Sequence, residues 1–199
     1  MTGRPSGALA ATIDALARAL REVGCPHMIV GGVAVIARGV PRLTRDVDAV
    51  VWADGLDLVT LVDTLRRHHI EGRVANLVEV AAETQVVFLE HRPTKTPLEI
   101  LLAWLPFELE AMNRAESLKL GSATAPVAIA EDLVVYKAAA WHARDRDDVE
   151  RLLVLHGDRM DLDRVRRLVA EFAEALEQPE RVAEFESVVR KARGIKAGE

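Results

Sequence analysis

The chain has 199 residues, 50% of them hydrophobic and 29% charged, with a formal net charge of -5. That is enough apolar chain for a packed core, and the acidic balance excludes a protein that coats nucleic acid through overall charge while leaving room for a local basic patch. Cys25, the only cysteine, excludes an internal disulfide and a zinc-thiolate cluster, and no apolar run nears the roughly 20 residues needed to cross a bilayer.

The opening stretch "MTGRPSGALAATIDALARAL" has no leader-like apolar segment with a cleavage site, so a cytoplasmic protein with no membrane partner is expected. Ala8 to Val23 repeats Leu9, Ile13, Leu16 and Leu20 at helical spacing and stops at "GCP". "HMIVGG" reads as a short buried strand and Val33 to Arg38 as a short helix ended by Gly39 and Pro41. "DVDAVVW" reads as a second strand, and Leu56 to His68 as a helix burying Leu58, Leu61, Val62 and Leu65. "TQVVFLEH" and "PLEILLAW" follow as antiparallel neighbours across the turn formers "RPTKT".

From Pro106 onward the pattern predicts helices alone: "FELEAMNRAESL", "EDLVVYKAAAWHA", "DDVERLLVLHG", "LDRVRRLVAEFAEAL" and "PERVAEFESVVRKARG". The expected class is α+β, a mixed sheet with flanking helices followed by a C-terminal helical bundle. Residues 1–125 form the first domain, and residues 126–199 form a helical region packed against it.

Two carboxylates interrupt the second strand. Residues two apart in a strand share a face, so Asp46 and Asp48 project together and repel unless a cation holds both. Hard carboxylate oxygens select Mg²⁺ or Mn²⁺, which recruit substrate phosphates. Glu99 is a third acid in an otherwise apolar strand, and three acids on adjacent strands can hold two metal ions. Upstream, Gly31 and Gly32 let the backbone approach a phosphate chain, while Arg42, Thr44 and Arg45 line the loop into the acid pair with groups suited to phosphate oxygens.

The order of these features carries more than any one of them. "VGGVAVIARGVPRLTRDVDAVV" resembles the signature of the DNA polymerase β-like nucleotidyltransferase superfamily, in which a small-residue pair precedes a D-x-D pair by a little over ten residues. "LEILLAWLPFELEAMNRA" and "APVAIAEDLVVYKAAAWHARDRDDVERLL" are similar to the nucleotidyltransferase AbiEii type, the toxins of type IV toxin–antitoxin systems.

That resemblance, over about Met28 to Leu153, implies the nucleotidyltransferase fold and an enzyme that moves a nucleoside monophosphate from an NTP to an acceptor with release of pyrophosphate. The acceptor it implies first is the 3′ end of tRNA, with a cognate antitoxin protein as partner. The alternatives are nucleotidylation of a protein or small molecule, and a nucleotide-binding module without catalysis. Asp46, Asp48 and Glu99 would hold Mg²⁺ or Mn²⁺. Gly31, Gly32, Arg42 and Thr44 would surround the triphosphate, Lys137 would reach its phosphates, and Asp145 and Asp148 match a late "RD-x-x-D" element. The sequence departs from the pattern at Gly32, where serine is common, and at Glu99, where aspartate is usual.

From spacing alone, Lys137 is a solvated helical lysine, and the acids around Asp145 can be a favourable helix start. Arg164, Arg166 and Arg167 are the local candidates for an RNA backbone, with a salt-bridged surface as the alternative. The histidines, His91 among them, show no ligand pattern and are expected at the surface, and Trp52, Trp104 and Trp141 in the core.

Overall fold

The computed structural model describes residues 7–196; the first six residues of the opening stretch lie outside them. The chain divides into two compact units, one made of the residues up to Ala37 together with Pro41–Ala128, the other of Arg38–Val40 and the residues from Ile129 on.

In the first unit, α1 (Gly7–Val23) buries Leu9, Ile13, Leu16 and Leu20 along one face. β1 (His27–Val30) runs directly into α2 (Gly31–Ala37), and β2 (Val47–Trp52) returns antiparallel to β1 with Asp48 opposite Val30. α3 (Leu58–Arg67) starts where the Asp57 carboxylate accepts from the Val59 N–H at 3.1 Å. β3 (Ile70–Gly72), α4 (Leu77–Thr84), β4 (Val86–His91), β5 (Thr96–Ala103), α5 (Pro106–Arg114), β6 (Glu116–Leu120) and β7 (Ala123–Val127) complete it. Among the described residues, seven strands form one sheet in the order β3-β4-β5-β2-β1-β7-β6. β2 pairs in parallel with β5, and β1 with β7.

β2 lies at the centre of this sheet, and Val47, Ala49, Val50 and Val51 are fully buried. Such a strand is apolar on both faces, which makes the half-exposed Asp48 within it conspicuous. Asp46 lies in the extended segment one residue before the strand begins, not in the strand as the alternation predicts.

The expectation of helices alone after Pro106 is corrected by β6 and β7. This hairpin turns at Gly121, whose φ of +69° suits the first position of a two-residue loop. "ATAPV" is too short and alanine-rich to announce a strand; it becomes one by pairing with β1, where Ile29 faces Val127 and the Ala128 N–H donates to Ile29 O at 3.0 Å. Strand β3 and helix α4 are likewise absent from the sequence reading, being only a turn or two long.

Two side chains reverse expectations. Trp104 is 65% exposed, because β5 ends at Ala103 and the Glu108 carboxylate turns the chain by accepting from the Trp104 and Leu105 N–H groups, both at 3.0 Å. His91 is buried: its Nδ1 lies 3.1 Å from Thr12 Oγ1 and 2.9 Å from Thr94 Oγ1, and burial pushes its pKa down.

The second unit is built on α6 (Ala130–Ala140), α7 (Ala143–His156), α8 (Leu162–Ala175) and α9 (Glu180–Lys196). Leu133, Val134, Val149, Leu152, Val165, Val169 and Phe185 are buried in it. Arg181 donates to the Ala138 and Ala139 carbonyls that end α6, at 2.6 and 3.1 Å, and its guanidinium lies 5.3 Å from the centre of the buried Trp141 ring. No helix among the described residues is long and apolar enough to cross a membrane.

Candidate active site

The site in the first unit starts at the join of β1 and α2. Gly31 has a φ of +60°, and a Cβ added to it would overlap the Asp48 carboxylate. Both facts demand glycine there: the backbone takes a left-handed turn directly beneath the acid of β2. Gly32 is buried, and a Cβ on it would stand 2.9 Å from Thr44 Cβ and 3.2 Å from Arg42 Nη2. The segment from Arg42 to Asp46 therefore lies over the glycine turn, and Thr44 Oγ1 donates to Asp46 Oδ1 at 2.6 Å.

Glu99 reaches the same place through the sheet. It is the register partner of Asp48 on β5 and of Phe88 on β4, so Asp48 and Glu99 share a sheet face. The Glu99 carboxylate lies 4.0 Å from the Arg73 guanidinium, and both side chains are more than a third exposed. Arg73 follows β3, where its N–H donates to Phe88 O at 2.9 Å. No signal in the sequence singles it out, since its place depends on the short β3.

Among the described residues, no three acidic, histidine or cysteine side chains converge as a ready metal cluster. Asp46 and Asp48 flank the glycine turn, and their hard oxygen donors fit a divalent ion. Glu99 is in register but turned toward Arg73. Gly31, Gly32, Arg42, Thr44, Asp46, Asp48 and Glu99 are thus brought together in one unit. A groove of about 630 Å³ in the same unit, lined by residues such as Val62, Arg66, Gly72 and Leu77, is not part of this constellation.

Lys137, Asp145 and Asp148 form a separate cluster in the helical unit. Lys137 Nζ lies 2.7 Å from Asp145 Oδ1 and 3.0 Å from Asp148 Oδ2, with all three side chains largely buried. Asp145 also accepts from the His142 backbone N–H at 2.9 Å, starting α7. Burial pushes the Asp145 carboxyl up, but the Lys137 ammonium and the His142 donors more than offset it and hold it below the ordinary value. Lys137 is not the solvated lysine of the spacing argument.

The arginines of α8 are paired within their own unit. Arg164 is buried and donates to Asp132 Oδ1 at 2.7 Å, Arg166 to Glu186 Oε1 at 2.7 Å, and Arg167 lies 3.8 Å from Glu171. The salt-bridged surface describes Arg166 and Arg167, whereas Arg164 is paired in the interior of the unit.

No family model matches the chain, and no curated protein does. Among solved structures, the chain is similar to the antibiotic-resistance factor ANT(2'')-Ia in its solution structure, with a TM-score of 0.60 at 16% identity over 88% of this chain and 97% of that one. It is also similar to ANT(2'')-Ia in complex with adenylyl-2''-tobramycin, with a TM-score of 0.54 at 16% identity over 84% and 98%. An antigenic nucleotidyltransferase-like protein from Paracoccidioides brasiliensis gives 0.46 at 15% identity over 90% and 94%, a score that adds nothing to the assignment. At these identities the likeness shows the fold: the chain has the mixed α+β nucleotidyltransferase fold.

Proposed function

We propose that the chain is a nucleotidyltransferase that moves a nucleoside monophosphate from an NTP to a hydroxyl group. The observation that carries this reading is the left-handed Gly31 turn directly beneath the Asp48 carboxylate, with Asp46 held beside it. A glycine turn admits a phosphate chain close to the backbone, and the paired acids beside it offer hard oxygen donors to a divalent cation. The nucleotidyltransferase fold of the neighbours supports it.

Asp46 and Asp48 would hold Mg²⁺ or Mn²⁺, with Glu99 next in register, and the ion would supply charge neutralisation at the reacting phosphate. The chain's own groups do the positioning. Arg42 and the Gly31–Gly32 backbone face the phosphate oxygens. The oxygen of the acceptor hydroxyl bonds to the α-phosphorus and gives up its proton to water, the bond from the α-phosphorus to the oxygen bridging it to the β-phosphate breaks, and pyrophosphate departs. The resemblance adds Lys137 as a ligand of the nucleotide phosphates. Its pairs to Asp145 and Asp148 would have to yield to a phosphate, at the cost of taking the ammonium away from two buried carboxylates.

The acceptor named by the resemblance is the 3′ end of tRNA, in a toxin neutralised by a cognate antitoxin. A small hydroxylated molecule is the second reading. It is favoured by the pairing of Arg164, Arg166 and Arg167, which takes away the basic stripe an RNA backbone needs, and by the adenylyl-2''-tobramycin complex of a fold neighbour.

The test is transfer of label from each α-³²P NTP in Mg²⁺ to tRNA, cell protein or an aminoglycoside panel. Label in tRNA that vanishes in Asp48→Asn, together with growth arrest on expression, establishes the tRNA reading. Label in an aminoglycoside alone establishes the second, and no transfer to any acceptor overturns both.

A further inference from the structure

Gly31 needs its left-handed backbone, but Gly32 does not: its φ lies outside the region that favours glycine. A larger residue is excluded there by space alone. A Cβ on Gly32 would overlap Thr44 Oγ1 and stand 2.9 Å from Thr44 Cβ, so the volume a side chain at residue 32 would fill is occupied by the threonine. That same hydroxyl gives its proton to Asp46 Oδ1 at 2.6 Å, the short distance of a bond to a charged acceptor.

Thr44 is therefore wedged between the buried glycine below it and the carboxylate beside it. Asp46 needs such a partner more than Asp48 does. Asp48 is fixed inside a central strand, whereas Asp46 is exposed and precedes that strand. An exposed aspartate outside regular structure keeps several rotamers open, and the bond from Thr44 favours one of them.

We propose that Thr44 is the positioning residue for Asp46, and that Gly32 is a glycine because the Thr44 hydroxyl needs its space. The inference rests on the nucleotidyl-transfer reading, which gives Asp46 a cation to hold. Donation to Oδ1 leaves Oδ2 and the remaining lone pairs for that cation, the arrangement in which an outer partner orients a ligating group. Residues 32 and 44 are thus coupled: the pair can carry one hydroxyl in that space, not two side chains.

The test is Mn²⁺ binding to the full chain, read from the electron paramagnetic resonance signal of free Mn²⁺, with thermal unfolding as a control for folding. Thr44→Val, which keeps the shape and loses the proton, should weaken Mn²⁺ binding about tenfold at an unchanged unfolding midpoint. Thr44→Ser should bind as the wild type does. Gly32→Ser alone, forced against Thr44, should also bind poorly, and Gly32→Ser combined with Thr44→Gly should recover most of the affinity. Wild-type affinity in Thr44→Val, or no recovery in the exchanged pair, overturns the positioning role while leaving the nucleotidyl-transfer reading intact. Mn²⁺ binding by the wild type that Asp48→Asn leaves unchanged overturns that reading itself, and the inference with it.

Discussion

Asp48 on β2 and Glu99 on β5 occupy one register position on adjacent parallel strands, so their carboxylates leave the same sheet face about 4.8 Å apart at the backbone. Nothing in packing calls for this, since their strand neighbours Val47, Ala49, Leu98 and Ile100 are fully buried apolar residues. Two like charges at that spacing repel, and the exposed Arg73 guanidinium lies 4.0 Å from Glu99. Packing alone gives no reason for this acid pair, and the proposed cation site gives one.

Replacing Asp48 by asparagine should separate those two roles. Transfer should fall by more than about a hundredfold, beyond what losing an outer partner of a metal ligand costs. The melting temperature, followed by circular dichroism, should change little, because asparagine keeps the shape of this half-exposed side chain and can still hydrogen-bond. A fall in melting temperature with transfer retained would make Asp48 a structural residue.

Gly31→Ala tests the turn beneath it. The variant must place a Cβ at a φ of +60° and push aside the Asp48 carboxylate. A non-glycine residue held in a sparsely populated backbone region costs about 1–3 kcal/mol, so urea unfolding should show a loss of that order. Transfer should fall with it, because Asp48 is the group displaced.

Much of this site is legible in the sequence because its parts are local. Gly31, Gly32, Thr44, Asp46 and Asp48 fall within one short stretch, and the turn, the loop and the body of β2 follow from glycine and alternation, which errs only in starting the strand at Asp46 instead of Val47. Glu99 stands out as a charge in an apolar run. Arg73 does not, because its approach to Glu99 is set by the pairing of β3 with β4, a partnership of long sequence separation and three residues. The β6–β7 hairpin escapes for the same reason: what makes "ATAPV" a strand is β1, almost a hundred residues earlier. Lys137 shows the limit of periodicity, which places a residue on a helix but cannot say that two acids from the next helix will bury it.

His91 sets a pH dependence in the first unit. Burial depresses its pKa, so below about pH 6.5 the unfolded chain binds a proton here more readily than the folded one. Its contribution is present above the unfolded value of about 6.5 and is lost as pH falls through the lower folded value. Stability measured by urea unfolding should decline as pH falls below about 6.5, and His91→Gln, which keeps a polar side chain without the titration, should flatten part of that decline. His27, also depressed by burial, supplies another part.

Lys137→Met tests the helical unit. Lys137, Asp145 and Asp148 have side-chain exposures of 12%, 11% and 6%, so removing the ammonium leaves two carboxylates buried beside each other. Breaking a buried pair from one side costs about 3–5 kcal/mol, and urea unfolding near neutral pH should show a loss of that size. Acid changes the comparison. In the wild type Asp145 has a depressed pKa, so its contribution is full above the ordinary carboxylate range and lost as pH falls through the folded value. In Lys137→Met Asp145 loses the ammonium that holds its pKa down, so the stability that depends on its charge is smaller and falling pH costs the variant less. The gap between the two proteins should narrow steadily on acidification through about pH 4. Adding Asp145→Asn and Asp148→Asn to Lys137→Met should recover much of the lost stability at neutral pH by removing the charges the lysine served. A gap independent of pH, or no recovery in the triple variant, would mean that the lysine stabilises the unit through its aliphatic stem and not through its charge.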